Sequence, residues 1–296
     1  MEYDVLCVGV ATLDRVIVVD TTPGEDERVL VERFTVAGGG PAATAAVTLA
    51  RLGARVALCA VVGQDDAGRT VVDGLESEGV DVRWVSARED VRTTESVILV
   101  SRRRGTRTII TTPSTAPLRD AVPRDVAPWL HADQTGYAAV RGATGAARGA
   151  GPKVSVDAGN SIAELDLSGV ALYVPTVAQL LQRFPGDVHG ALVAARAAGA
   201  GAVVATAGGD GAYLLDGDDL VHVPAVETEV VSTLGAGDVF HGALLAATVR
   251  GAGLVEAATV AATVAALSCR AIDGRSAIPH ADDVRNLSGA ALESDR

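Results

Sequence analysis

Lysine is almost missing from this chain: Lys153 is the only one, so nearly all of the positive charge is arginine. Cysteine is nearly as scarce. Cys7, Cys59 and Cys269 lie far apart and form no C-x-x-C pair, which removes a disulfide framework or a zinc knuckle and fits a reducing, cytoplasmic setting. The 25 basic residues are outnumbered by 37 acidic ones, and a net charge of −12 is a poor footprint for neutralising nucleic-acid phosphates. No basic flank precedes the apolar run at 5–10, so no export signal is expected. The alanine-rich stretch 253–271 carries Glu256 and Arg270 and reads as a buried helix, so no membrane partner is expected either.

Several catalytic signatures are also absent. There is no Gly-Lys-Ser/Thr for a P-loop and no G-x-G-x-x-G after a strand, which excludes Walker ATPases and Rossmann dehydrogenases. Neither H-E-x-x-H nor G-x-S-x-G occurs, so a hydrolase built on either signature has no support.

What is present is enough for one large core: 296 residues, 48% of them hydrophobic. β-Branched runs at 5–10, 55–62, 154–157, 170–174 and 202–206 lack the alternation of half-exposed strands and read as buried ones. Helical patterns at 41–52, 68–78, 137–148 and 188–198 fall between them, which predicts a mostly parallel sheet with helices on both faces. Strands are expected again at 212–216 and 220–223, before a helical carboxyl-terminal third. Two segments, about 14–36 and 92–112, carry strands without helices and suit a small β lid inserted into a single domain spanning 1–296. Arg102, Arg103 and Arg104 would form the solvated tip of a lid hairpin.

The sharpest feature is Gly235-Ala236-Gly237-Asp238, after a β-branched run and before an apolar helix. Glycines allow close approach of backbone to a ligand, and the free N–H groups and dipole of a helix start attract an anion such as a phosphoryl group. Asp238 in that turn would accept the proton of an attacking hydroxyl. The plainer alternative is that it only offsets the dipole, worth about 0.3–1 kcal/mol. A second turn, Gly38-Gly39-Gly40-Pro41, precedes the helix at 42–52, and two such helix starts suggest two polar ligands. Asp14, at a strand end, suits gripping substrate hydroxyls. Asp157 either serves the phosphates or caps the loop through Gly159 and Asn160, and His241 reads as a packing residue of its helix.

Gly235-Ala236-Gly237-Asp238 resembles the carboxyl-terminal signature of the PfkB, or ribokinase-like, sugar and nucleoside kinases, and Gly38 and Gly39 resemble the amino-terminal one. Asp14, Arg51-Leu52-Gly53-Ala54, Val62-Gly63-Gln64-Asp65 and 206–211 follow in the family's order, so the resemblance spans nearly the whole chain. It implies a ribokinase-like three-layer α/β sandwich with a β lid, Mg2+-ATP as donor, Asp238 as base, Gly235, Ala236 and Gly237 as anion cradle, and Thr206, Gly208 and Gly211 along ATP. Asp14, Gly38, Gly39 and Gly40 would serve the substrate, and no metal-ligating residue is assigned.

Within the family, Gly-Gly-Gly-Pro-Ala-Ala-Thr-Ala-Ala at 38–46 and Gly-Asp-Val-Phe-His-Gly-Ala-Leu at 237–244 are similar to sulfofructose kinases. That resemblance implies a ketose or anionic ketose acceptor, with Arg28 as the cation for its anionic group. Thr111 and Thr135 stand near positions where that subgroup carries asparagine and arginine. Ser232 replaces the usual opening aspartate of the signature, which puts a monovalent-cation requirement in doubt, and Leu234 replaces a small polar residue. The family's Asn-x-x-Glu motif has no counterpart near 175–181 beyond Thr176 and Gln179. The alternatives are a nucleoside kinase, which the 3% aromatic content disfavours, and a catalytically weak metabolite-binding pseudokinase. A homodimer through the lid edge is expected.

Overall fold

The computed structural model describes residues 1–31, 33–103, 106–144 and 151–284. The strands of the amino-terminal half are β1 (Val5–Val8), β2 (Thr12–Val19), β3 (Thr35–Gly39), β4 (Val56–Gly63), β5 (Asp81–Arg88), β6 (Thr94–Ser101) and β7 (Arg107–Thr111). Those of the second half are β8 (Trp129–Ala132), β9 (Lys153–Ala158), β10 (Val170–Pro175), β11 (Ala202–Thr206), β12 (Ala212–Asp216) and β13 (Asp219–Val223). The helices are α1 (Pro41–Arg51), α2 (Asp66–Ser77), α3 (Tyr137–Thr144), α4 (Val177–Arg183), α5 (Val188–Ala197), α6 (Ala236–Val249) and α7 (Leu254–Ser268).

Nine strands form one sheet in the order β13-β12-β11-β10-β9-β8-β1-β4-β5, parallel from β5 to β11 and antiparallel over the last two. β1 and β4 are buried at every residue because both sheet faces are covered, which is why their sequences show no alternation. One face packs on α1, α2, α6 and α7, and the other on α3, α4 and α5, giving two separate apolar cores and a three-layer sandwich. The alanine-rich α7 packs against α6 and β12 in the first of these cores. Among the described residues no helix is long and apolar enough to cross a membrane.

The lid is a second sheet, β3-β2-β6-β7, in which β2 and β6 run parallel. It begins at Thr12, two residues before the expected boundary, and its returning strand extends to Gly39; no strand lies within the described residues of 20–34. Val16, Ile98 and Val100 form a small core with Leu234 of the signature turn. Leu234 thus seats the small sheet against the turn at 235–238.

Three elements went unanticipated. β5 is an edge strand with half-exposed residues, β8 is four residues long, and α4 has one fully buried side chain, Leu180, so none carries a clear periodic signal. α3 is described as far as Thr144, and the remainder of the pattern at 137–148 lies outside the described residues, as does Arg104; Arg102 and Arg103 are exposed.

Candidate active site

β1 sits between β4 and β8, so the chain's crossovers leave it in opposite directions and open a crevice at the carboxyl ends of the strands, where open α/β sheets bind ligands. A cavity of about 510 Å³ occupies this position. Its floor is built by Val10 after β1, Gln134 after β8, Asp157 of β9, Thr176 after β10 and Thr206 of β11. The starts of α1 and α6 form one wall and the lid residues Thr12, Asp14, Ser96, Arg107, Ile109 and Thr111 the roof. A larger void of about 800 Å³ beside Val29, Leu30, Val31 and Arg33 is walled mainly by valine and leucine and holds none of these groups, so volume alone does not mark the site.

α6 starts at Gly235, whose φ of 73° is the left-handed conformation that glycine tolerates; a Cβ there would approach the Gly274 backbone to 3.0 Å. The Ala236 N–H donates to the Thr233 carbonyl at 3.3 Å, while Gly237 and Asp238 occupy the first turn, beyond reach of the helix's own carbonyls. Gly237 faces open space. Asp238 is half-buried in the same turn, and burial first, then the charges of Asp157 and Asp133, push its carboxyl well above the usual carboxylate range. Arg107 and Arg275 oppose that rise.

Across the cavity, Asp14 is buried and accepts a 2.7 Å hydrogen bond from the Thr12 hydroxyl. Its carboxyl is raised by burial, with the hydroxyls of Thr12 and Ser96 and the Arg275 charge holding it down. Gly39 abuts this carboxylate so closely that a Cβ would displace it. Arg275 is itself buried: its Nη2 donates to the Gly39 carbonyl at 2.7 Å and its Nε to Thr44 Oγ1 at 3.2 Å. Burial pushes this guanidinium down to about 10, resisted by Asp14, Glu78, Asp238 and Asp273. One cation thus ties both halves of the site together electrostatically.

The start of α1 is different. Asp133, fully buried, accepts hydrogen bonds from the N–H groups of Val10 (2.8 Å), Ala42 (3.2 Å), Thr135 (2.8 Å) and Gly136 (2.8 Å). Burial pushes its carboxyl up to about 6 against those four donors. The expectation of a ligand at each helix start is therefore corrected at this end: the chain's own Asp133 supplies the anion, although Gly39, Gly40 and Pro41 still line the cavity.

Of the residues singled out from sequence, Asp238, Gly235, Gly237, Asp14, Gly39, Gly40 and Thr206 line one cavity. Gly38 instead packs on the Arg275 guanidinium, and Ala236 lies in the helix start without lining the cavity. Gly208 opens an exposed 3-10 turn after β11, whereas Gly211 is buried where a Cβ would strike the backbone of Val223 to Ala225. Arg28 is exposed and outside the cavity lining; the lid cation that reaches the cavity is Arg107, whose Nη1 donates to Thr233 Oγ1 at 2.9 Å. Thr111 lines the cavity, and Thr135 contributes its N–H to Asp133. Thr176 caps α4, accepting the Gln179 N–H at 3.2 Å, which accounts for a threonine there. Sequence reasoning missed Asp133, Arg107 and Arg275. Asp133 follows a strand too short to see, and Arg275 sits in a loop whose role depends on contacts with residues 231 and 236 positions away.

Among the described residues no group of three or more His, Cys, Asp or Glu side chains could hold a metal ion. A model of pfkB family carbohydrate kinases matches residues 3–141 and 169–281. A nucleoside kinase of Methanothermobacter thermautotrophicus is 27% identical over 89% of this chain and 88% of its own length. The aminoimidazole riboside kinase of Salmonella typhimurium is 30% identical over 84% of this chain and 87% of its own. The structure of Arabidopsis thaliana ribokinase complexed with ribose and ATP superposes with a TM-score of 0.77 at 20% identity, covering 97% of this chain and 99% of that one.

Proposed function

The chain belongs to the pfkB family of carbohydrate kinases, phosphotransferases with an alcohol acceptor, and from that premise we propose that it moves the γ-phosphoryl of ATP to a hydroxyl of a ketose or anionic ketose derivative. The observation that carries the mechanism is Asp238, its carboxyl raised in the open first turn of α6, across the cavity from the buried Asp14. Asp14 holds and orients the acceptor by accepting hydrogen bonds from its hydroxyls. Asp238 takes the proton of the attacking hydroxyl as the bond to phosphorus forms. The Gly235–Ala236–Gly237 helix start stabilises charge on the transferring phosphoryl, and Arg107 adds a cation from the roof.

ATP would lie toward β11, along Thr206 and the turn at Gly208, with Gly211 fixing the strand pair behind that turn. Magnesium suits this arrangement as an ion carried on the ATP phosphates, since it keeps several waters and needs few protein oxygens; Asn160 and Thr176, which line that wall, would offer oxygens to its waters. The lid closes over the cavity and excludes water. A lid-to-lid homodimer and a cytoplasmic setting belong to the same reading: β7 is an edge strand exposed at all five residues, including Ile109 and Ile110, and the three cysteines are buried and free.

A nucleoside acceptor is the second reading, favoured by the names of the two relatives. Against it, among the described residues no Phe, Tyr or Trp lines the cavity. Initial-rate ADP release over fructose, fructose 1-phosphate, sulfofructose, ribose, adenosine and inosine separates the two. Ketoses giving the highest kcat/KM support the proposal, and a nucleoside giving it overturns the acceptor while sparing Asp238. Arg28→Ala leaving the ratio of charged to neutral ketoses unchanged would move the anion site to Arg107.

A further inference from the structure

His241, one turn beyond Asp238 on α6, is buried, and its contacts fix its charge. Its Nδ1 lies 3.1 Å from the Gly237 carbonyl oxygen and 3.2 Å from Asp157 Oδ2, and its Nε2 lies 3.1 Å from the Val174 carbonyl oxygen. A neutral imidazole donates from one nitrogen and accepts at the other. Carbonyl oxygens have no proton to give, so a neutral ring would turn a lone pair against one of them. A proton on Asp157 Oδ2 would not resolve this, because Nδ1 would then still turn its lone pair on the Gly237 carbonyl oxygen. Only a ring protonated on both nitrogens, beside an ionised Asp157, satisfies every contact.

We propose that His241 is a buried imidazolium that pairs with Asp157 and serves as a positioning residue for the phosphoryl transfer, cancelling the second carboxylate of the cavity floor so that Asp238 can ionise as the base. This rests on Asp238 being that base. The two carboxylates repel each other across the cavity floor, and a cation bound to one of them lowers the cost of charging the other. The same ring also pins the Gly237 carbonyl, and with it the turn that carries Asp238.

The surroundings agree. From β8, His131 comes to within 5.7 Å between ring centres; burial and the neighbouring His241 push it down to about 3, and it contacts Ser155 Oγ at 3.3 Å through Nδ1 while Nε2 has no partner. From β1, Cys7 beside it stays a neutral thiol, raised by burial and Asp133. α1 meets α6 through Ala45 and Thr48 at Gly242, and α7 buries mainly alanines, so neither brings a competing charge. Asp133, Arg107 and Arg275 complete the charged groups around Asp238.

The test reads the ring directly. In the 15N-labelled protein with an assigned His241, both ring nitrogens are expected to be protonated in the native wild type, and the ring to become neutral in Asp157→Asn. A single neutral tautomer in the native wild type overturns the proposal. In kinetics, His241→Gln, which leaves the Asp157 carboxylate uncancelled, should move the acid limb of kcat/KM upward by roughly one pH unit, while Asp157→Asn, which removes the carboxylate and neutralises the ring together, and the double variant should leave it near the wild-type position. A residue that only packs the helix would lower the rate at every pH and leave the limb in place, which also overturns the proposal. If Asp238 is not the base, Asp238→Asn keeps wild-type turnover while the ring signals stay as expected, so the two failures are distinct.

Discussion

The starts of α1 and α6 look alike in sequence, each a glycine turn before an apolar helix, and the structure gives them opposite fates. Both begin on a glycine with positive φ, 93° at Gly40 and 73° at Gly235. At α1 the anion that a helix start favours is already inside the protein: Asp133 accepts the Ala42 N–H and three more. At α6 the first turn opens on the cavity, Gly237 faces free space, and the only carboxylate in the turn is Asp238, held above its usual range. The same local motif is therefore closed at one end of the wall, where the protein's own carboxylate fills it, and open at the other, where it can receive a phosphoryl group. Local sequence sets the turn; a distant residue decides whether it is available.

The comparison is broken most severely by exchanging carboxylate for amide at each end. Asp238→Asn should lower turnover by roughly 10²–10⁴ with ATP affinity largely kept, since a base acts in the transition state. Asp133→Asn should instead cost about 2–4 kcal/mol of stability, read by urea unfolding, because the amide nitrogen replaces an oxygen that accepts two of the four N–H groups. Equal loss of stability in both variants would erase the distinction.

A smaller effect separates the glycines. Gly40→Ala meets a positive φ and the Val10 carbonyl, and should destabilise by about 1–3 kcal/mol. Gly237→Ala meets nothing within the protein, so its melting temperature should hold while the added methyl intrudes on the anion cradle and lowers kcat roughly tenfold.

The smallest effects are in pH. With Asp238 raised, kcat/KM should fall on the acid side with an apparent pKa above the ordinary carboxylate value of about 4. The sign for stability is opposite to that for activity. A carboxyl raised by folding favours the native state at pH below its unfolded value and loses that contribution as pH rises through the folded value. Asp238→Asn should therefore melt a few degrees higher than wild type at neutral pH, with the gap closing toward about pH 4. A gap that widens on acidification would contradict the raised carboxyl.

Much of this was legible from residue patterns. Buried strands with no alternation marked the sheet, and Gly235-Ala236-Gly237-Asp238 marked the turn that faces the cavity. Asp133 was not legible, because the four residues of β8 give no periodicity and its bonding partners are spread from Val10 to Gly136. His241 read as a packing residue because burial is visible in an apolar helix, whereas three oxygens converging from α6, β9 and β10 are not. Arg28 read as the anion-binding cation from the resemblance and the fit of a guanidinium to an anion; it is exposed and outside the cavity lining, whereas Arg107 of β7 reaches the cavity through a pairing of strands that sequence does not show.

The most direct measurement is ADP release by the wild-type protein with Mg-ATP, with and without a ketose acceptor, beside a thermal melt with the same ligands. Acceptor-dependent ADP formation is the result predicted for an open helix turn that carries a base. Thermal stabilisation by acceptor and ATP with no ADP formed would contradict it and leave a binding protein in which α6 is as closed to chemistry as α1.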